Sequence, residues 1–293
     1  MKPAPFLYHA PASLERAFAL LDEYGDDAKP LAGGQSLVPA MNFRLAQPAV
    51  LVDLNRLDRL AGIERTAAGG LRIGAMTRQR ALERDPRVAR VAPLLAQALP
   101  HIAHPQIRNR GTLGGSLAHA DPASELPAVM LVLAARLRLG GSRGERWLPA
   151  EEFFLGLFTT ALAPGELLLD IEIPAAAPGS GWAFEEAARR HGDYALAGVA
   201  AGARLDADGR CREATVVLFG VGEGPVPVPG AAAAVAGHPP SAQRIAEAAE
   251  VVRSSIDPPG DIHASPAYRR RLAAVLTRRA LTRAIAAAEI ALA

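Results

Sequence analysis

The sequence of 293 residues contains a single cysteine, Cys211. One cysteine cannot form an intramolecular disulfide, and it cannot supply a multi-cysteine zinc site or a four-cysteine iron–sulfur cluster. Cys211 lies at the predicted start of an alternating strand, where a structural role is the simplest interpretation. Any iron–sulfur cluster that works with this protein is therefore expected on another chain.

Lysine is almost as scarce, since Lys2 and Lys29 are the only two. Neither follows the Gly-x4-Gly-Lys-Ser/Thr pattern of a P-loop, and the G-x-G-x-x-G fingerprint of a Rossmann fold is also missing. The nearest string, residues 220–224 (GVGEG), lacks the final spacing and runs into Pro225. We interpret it as a turn after a strand.

Charge and hydrophobicity are also unremarkable in their distribution. The 32 basic and 30 acidic residues give a formal net charge of +2, and the arginines are spread along the chain, so nucleic-acid binding is not indicated. The opening MKPAPFLYHAP has no apolar core of a signal peptide, and no apolar run approaches the ~20 residues of a membrane span. We expect a soluble, cytoplasmic protein without a transmembrane segment.

Glycine, in contrast, is concentrated in two loops. The first is LAGGQSLVP at residues 31–39, and the second lies in HPQIRNRGTLGGSLAHADPASELP at residues 104–127. Glycine-rich backbone can turn several N–H groups toward one anion, as a bound diphosphate requires. The carboxyl groups of Asp121 and Glu125 suit sugar or polyol hydroxyls instead. The two loops together could hold one extended dinucleotide from two sides.

The residues alone leave a second interpretation of both loops. Each could be a tight turn that caps a helix and binds nothing. Gln35 and Ser36 in particular could bind a phosphate or could cap a short helix at residues 37–45.

Hydrophobic periodicity predicts an α+β chain with two domains. A strand at residues 29–32 should feed the first glycine loop, Thr77 should cap a helix, residues 88–99 should form one helix, and another helix should begin at Glu151. The linker-like AAAPGSG at residues 175–181 places the domain boundary, so that residues 1–176 form the first domain and residues 177–293 the second. The second domain is predicted as a small antiparallel sheet backed by helices at residues 241–255 and 266–291.

Histidine offers little sign of metal chemistry. His101 and His104 have an H-x-x-H spacing, but Pro100 and Pro105 interrupt the helix that such a site needs, and no acidic or cysteine partner is near. No acid–base pair stands out either. We therefore expect neither a metal site nor a catalytic residue in this chain.

Four stretches, in order, closely resemble the FAD-binding medium subunit of the molybdenum hydroxylases, a family that includes carbon monoxide, aldehyde, xanthine and N-heterocycle dehydrogenases. They are residues 32–55 (AGGQSLVPAMNFRLAQPAVLVDLN), 107–127 (IRNRGTLGGSLAHADPASELP), 184–200 (FEEAARRHGDYALAGVA) and 265–281 (SPAYRRRLAAVLTRRAL). The resemblance covers nearly the whole chain.

The resemblance implies a fold and a cofactor. It implies a two-part FAD-binding domain of the vanillyl-alcohol-oxidase (PCMH) type, with two α/β subdomains that meet near residues 56–60, and a C-terminal domain of the family type. FAD should be bound non-covalently, because Gln35 stands where some flavoproteins carry the histidine that bonds the flavin. The implied FAD contacts are Ala32, Gly33, Gly34, Gln35, Ser36, Leu37, Thr112, Gly114, Gly115, Ser116, Ala120, Asp121, Glu125 and Tyr194.

Their implied roles differ along the chain. Backbone amides of residues 32–36 and 112–116 would hold the diphosphate, and Asp121 and Glu125 would take ribityl or ribose hydroxyls. Arg189, Arg190 and Tyr194 stand where the family brings its second domain over the flavin ring.

The resemblance also implies an electron-transfer role. A large chain would carry the molybdenum–pterin centre, a small chain would carry two [2Fe–2S] clusters, and this chain would pass electrons through FAD to NAD, quinone or oxygen, in a dimer of heterotrimers. Gln35 departs from the histidine common in the carbon monoxide enzymes, so the substrate stays open. The alternatives are a stand-alone flavin oxidase and, from another class, a non-catalytic interaction module.

Overall fold

The computed structural model describes residues 2–292, beginning with a three-stranded parallel sheet. The strand order is β1-β3-β2, and Ser13 caps the first helix by accepting a hydrogen bond from the Arg16 amide. Buried side chains of that helix, such as Leu14 and Leu21, pack on the sheet. The elements are β1 (Leu7–His9), α1 (Leu14–Tyr24), β2 (Ala28–Leu31), α2 (Leu37–Asn42) and β3 (Val50–Asp53).

A five-stranded antiparallel sheet follows, with the order β4-β5-β10-β6-β7. Six short helices between its second and third strands in chain order cover the sheet and form a large apolar core. The elements are β4 (Ile63–Arg65), β5 (Leu71–Gly74), α3 (Gln79–Arg84), α4 (Pro86–Val91), α5 (Pro93–Ala98), α6 (Pro105–Arg108), α7 (Leu113–His119), α8 (Glu125–Val132), β6 (Arg136–Gly141), β7 (Gly144–Pro149), the hairpin β8 (Phe154–Gly156) and β9 (Thr159–Thr160), and β10 (Leu167–Ile173).

The remainder of the chain forms a third, four-stranded antiparallel sheet with the order β11-β12-β13-β14. A long C-terminal helix packs so closely on this sheet that a Cβ at Gly181 would lie 2.2 Å from the Ala284 carbonyl oxygen. The elements are β11 (Ser180–Ala188), β12 (Ala195–Leu205), β13 (Cys211–Phe219), β14 (Val226–Pro227), α9 (Pro229–Val235), α10 (Ala242–Ser255) and α11 (Pro266–Leu292). The predicted α+β class is confirmed.

Three local predictions were wrong. Thr77 does not cap α3, because its hydroxyl is bonded to the backbone N–H and C=O of Gly62 at 2.9 and 3.0 Å. The helix predicted over residues 88–99 is divided between α4 and α5 at Pro93, which has no N–H to continue the ladder. Glu151 lies in a single 3₁₀ turn that leads into β8.

The helix predicted over residues 37–45 ends as α2 at Asn42. Of the helices within residues 2–292, none is long and apolar enough to cross a membrane.

Candidate flavin-binding site

The first glycine loop lies between β2 and α2 and leaves its backbone donors free. Within residues 2–292, no hydrogen-bond partner is found for the N–H groups of residues 33–36. Gly34 has a φ of +73°, a conformation that glycine adopts without strain, and the Gln35 amide group donates to the Gly33 carbonyl at 2.9 Å. Ser36 makes no capping hydrogen bond, so the capping alternative for this residue is contradicted. Several adjacent backbone N–H groups without partners can together bind one anion.

The second glycine loop lies directly against the first. A Cβ on Gly33 would lie 2.5 Å from the Arg110 carbonyl oxygen and 2.8 Å from the Gly111 Cα. A Cβ on Gly115 would lie 3.2 Å from the Ala32 Cβ. The two loops therefore meet backbone to backbone, as one ligand held from two sides requires.

The predicted role of the second loop's amides needs correction. The Gly114 amide donates to the Ala75 carbonyl at 2.8 Å, the Gly115 amide to the Thr112 hydroxyl at 3.0 Å, and the Ser116 amide to the Thr112 carbonyl at 3.2 Å. These three amides are occupied because Thr112 caps α7 and because the loop is hydrogen-bonded to Ala75, directly after β5. The Thr112 amide alone among the predicted set has no partner within residues 2–292.

Gly114 has a packing role in addition. A Cβ there would lie 2.4 Å from the Ala75 Cβ, so a side chain at this position would collide with the core side of the loop. Gly114 faces the five-stranded sheet, whereas Gly33 and Gly115 face each other's loop.

The acids after the second loop border the same region. Ala120 ends α7 in a left-handed conformation, and one Asp121 oxygen then accepts a hydrogen bond from the Ala123 amide at 2.9 Å. Glu125 is buried at the start of α8, and its burial, followed by the nearby Asp121 charge, raises its pKa to about 7. A carboxyl group with that pKa exists partly as a neutral acid at pH 7, so it can donate as well as accept a hydrogen bond.

Tyr194, between two strands of the third sheet, lies near these acids, and within residues 2–292 it makes no hydrogen bond to either of them. It lies between β11 and β12, and although 68% of its surface is exposed, burial around the hydroxyl and the charges of Asp121 and Glu125 raise the pKa of the phenol. The structure therefore brings Tyr194 to the acidic side of the glycine loops. Arg189 points elsewhere, with its guanidinium 3.0 Å from the His263 ring.

The sequence analysis did not identify Glu186, a buried glutamate near Glu125. The Glu186 side chain is only 4% exposed, and its Oε2 has no hydrogen-bond partner within the described residues. Burial, followed by the charge of Glu125, raises the pKa of Glu186 to about 8. Glu186 and His101, with Arg190 and His191, line a cleft of about 240 Å³. The alternation of side chains along the strand at residues 184–188 (FEEAA) could have indicated this residue, because it predicts that one of the two adjacent glutamates points inward.

His101 Nδ1 lies 3.5 Å from Glu186 Oε2, which by distance alone suggests an ion pair. Burial and the neighbouring His191 lower the pKa of His101, however, while that of Glu186 is raised. Near pH 7 both groups are therefore mainly neutral, and the contact is not an ion pair. Across residues 2–292, no group of three or more potential ligands is arranged to hold a metal ion.

Two family models account for most of the chain. Residues 4–176 match the FAD binding domain in molybdopterin dehydrogenase, and residues 182–284 match the CO dehydrogenase flavoprotein C-terminal domain. The chain is a flavoprotein subunit of the molybdenum hydroxylase family.

Individual relatives of this flavoprotein subunit span almost the whole chain. It is 42% identical over 285 residues to the 6-hydroxypseudooxynicotine dehydrogenase complex subunit alpha of Paenarthrobacter nicotinovorans, covering 97% of this chain and 96% of the relative. It is 39% identical over 284 residues to the carbon monoxide dehydrogenase medium chain of Hydrogenophaga pseudoflava, covering 97% and 98%. A solved structure of carbon monoxide dehydrogenase from Hydrogenophaga pseudoflava, lacking the Mo-pyranopterin moiety, matches with a TM-score of 0.95 and 40% identity, covering 98% of this chain and 99% of that one.

These findings confirm the predicted family, the two-domain flavin-binding fold, the oxidoreductase class and the FAD cofactor. The residues also fit the cofactor physically. Free amides at 33–36 suit a diphosphate, the lack of a side chain at Gly33 lets the second loop approach the first, and Asp121 and Glu125 suit hydroxyls.

Proposed function

We propose that this chain is the FAD-carrying electron relay of a three-subunit molybdenum hydroxylase. The bound FAD supplies the redox chemistry, since it can accept and pass on electrons one or two at a time. A large subunit carries the molybdenum–pterin centre and a small subunit carries two [2Fe–2S] clusters. The single buried Cys211 of this chain agrees with that division, because it leaves no ligand set for a cluster.

One observation carries this proposal: the two glycine loops touch, and the first offers four adjacent free amides. In the proposed site these amides, with that of Thr112, hold the FAD diphosphate. Asp121 and Glu125 take hydroxyl groups, and Tyr194 lies beside the flavin ring. The remaining predicted contacts shape the wall around the cofactor; they are Ala32, Leu37, Gly114, Gly115, Ser116 and Ala120.

The chain's residues serve mainly to bind and orient the cofactor. Two domains at residues 1–176 and 177–293 enclose it, with the subdomain boundary of the first near residues 56–60. The assembly is a dimer of heterotrimers in the cytoplasm, and the electron acceptor is NAD, quinone or oxygen. The relatives act on substrates as different as carbon monoxide and a nicotine derivative at similar identity, so the substrate depends on the large subunit.

The visible absorption spectrum of the purified chain, before and after incubation with FAD, tests the cofactor site directly. Flavin bands whose pigment is released by acid as FAD support a non-covalent FAD site. Absence of bands in the chain and also in its complex with the partner subunits would refute it.

The acceptor is tested separately. The complex is reduced by its substrate without air and then mixed with NAD, a quinone or oxygen in turn. The acceptor that restores the oxidised flavin spectrum within the turnover time is the physiological class.

A further inference from the structure

Asn55 ties down the first glycine loop from the end of β3. Its side-chain amide donates to the Ala32 carbonyl at 2.9 Å, where the loop begins. Its own backbone N–H donates to the Asp53 carboxylate at 2.8 Å, which fixes its orientation. The position of the first loop therefore depends on Asn55.

Arg78 connects Asn55 to the second loop. Its Nη2 donates to the Asn55 Oδ1 at 2.5 Å, and its Nη1 donates to the Arg110 carbonyl oxygen. That carbonyl is the atom that lies opposite Gly33. The Arg78 guanidinium is thus hydrogen-bonded directly to the second glycine loop and, through the Asn55 side chain, to the first.

The chemistry of this link requires arginine. The planar guanidinium presents several donors in a fixed fork, so it can reach two acceptors that lie apart. A lysine ammonium keeps the charge, but its three donors all sit on one nitrogen at the end of a flexible stem, so they cannot reach two separated acceptors in the same fixed geometry. The backbone of Arg78 is also fixed, because it pairs with Thr112 in an isolated bridge and the neighbouring Gln79 amide donates to the Gly111 carbonyl at 2.9 Å.

We propose that Asn55 and Arg78 are positioning residues for FAD, because their hydrogen bonds set the separation of the two glycine loops that hold the diphosphate. They act through the loops and carry no chemistry of their own. The proposal rests on FAD as the cofactor and is independent of the substrate and of the electron acceptor.

The test is an FAD titration of the full-length chain, deflavinated and assembled with its partner chains, followed by flavin fluorescence. Arg78→Lys is expected to raise the FAD dissociation constant roughly tenfold or more, because a hydrogen bond to a charged group is lost. Asn55→Ala is expected to have a similar effect. Arg146→Lys is the matched control, since the Arg146 guanidinium also joins two acceptors, the Glu166 carboxylate and the Ala161 carbonyl, neither of which belongs to a glycine loop, and its replacement should leave FAD affinity unchanged.

A second measurement separates positioning from a general loss of structure. The deflavinated Arg78→Ala variant should regain FAD affinity when methylguanidinium is added at a concentration that does not unfold the wild type, and deflavinated Arg78→Lys should unfold at a temperature close to that of the wild type. Wild-type FAD affinity in Arg78→Lys would overturn the proposal, because charge alone would then suffice. A fall in stability that accounts for all of the lost affinity, without rescue, would overturn it as well.

Discussion

Replacing Glu186 by glutamine should make the stability of the FAD-free chain less dependent on pH. The Glu186 side chain is 4% exposed and its pKa is raised to about 8, first by burial and then by the charge of Glu125. Ionisation of this carboxyl group in the folded protein therefore places a charge on a side chain that is only slightly exposed to water. Glutamine has nearly the same shape and never ionises.

The direction of this pH dependence follows from the protons that Glu186 binds in the folded and in the unfolded state. The pKa of Glu186 in the folded chain lies above its ordinary value of 4.5, so between these values the folded state holds a proton that the unfolded state has lost. The stabilisation from that proton is complete below the ordinary value and is lost as the pH rises through about 8. Each pH unit in this window removes about 1.4 kcal/mol, so from about pH 5 to about pH 8 the loss is roughly 3–4 kcal/mol.

Two neighbouring titratable groups also affect how the stability of the folded chain depends on pH. Glu125, with a pKa raised to about 7, adds a loss of stability in the same sense over a lower range. His101 acts in the opposite sense, because its pKa is lowered in the folded state, but only at pH values near and below its ordinary 6.5. The difference between wild type and variant above pH 7 therefore isolates Glu186.

Urea unfolding of the FAD-free chain at a series of pH values measures this difference. We expect the Glu186→Gln curve to be flatter, with the variant more stable than the wild type at pH 8. Glu223→Gln, at an exposed glutamate, controls for the substitution itself. Parallel curves for wild type and Glu186→Gln would refute the burial argument.

Three further predictions concern the glycine loops. Gly33→Ala should weaken FAD binding roughly tenfold or more, because the added Cβ would press on the Arg110 carbonyl and push the two loops apart. An affinity equal to that of the wild type in a fluorescence titration would contradict this prediction. Gly224→Ala is the control, since no atom lies within 4 Å of the added Cβ. Gly114→Ala should lower the free energy of unfolding by about 1–3 kcal/mol even without FAD, because the added methyl group overpacks the core. A urea unfolding curve equal to that of the wild type would contradict this, since it would mean that the core accommodates the methyl group. Acid precipitation should release all flavin as FAD, because Gln35 cannot form the covalent bond; flavin that remains with the protein would be evidence against a non-covalent site.

The sequence predicted the meeting of the two glycine loops but not which of their amides are free. Gly-Gly pairs predict a tight backbone, and the structure places both in contact. Whether a particular N–H is available depends on tertiary partners: the Gly114 amide is taken by Ala75, which belongs to the segment after β5. No local pattern around residue 114 contains that information.

The same limit explains the residues that sequence reasoning passed over. Asn55 and Arg78 are ordinary polar residues in their own neighbourhoods, and their function as a link appears only when the ends of two sheets meet. Glu186 was one of two adjacent glutamates, and burial of one of them depends on which face of β11 packs against the first domain. The break at Pro93 is of a different kind, because a proline lacks the N–H that a continuous helix needs; the prediction of one helix over residues 88–99 failed to use this local signal.

The loops belong to different sheets, and this has a consequence for the cofactor. The first loop follows a strand of the parallel sheet, whereas the second is tied to the segment after β5 of the antiparallel sheet. An anion that bonds to the amides at 33–36 and at Thr112 makes hydrogen bonds across that boundary and satisfies donors that otherwise face only water. Its binding free energy therefore adds to the free energy that holds the two sheets together. On the proposed site, we therefore expect FAD to link the two sheets of the first domain in addition to its redox role, and we expect Asn55 and Arg78 to affect cofactor affinity more than the stability of either core alone.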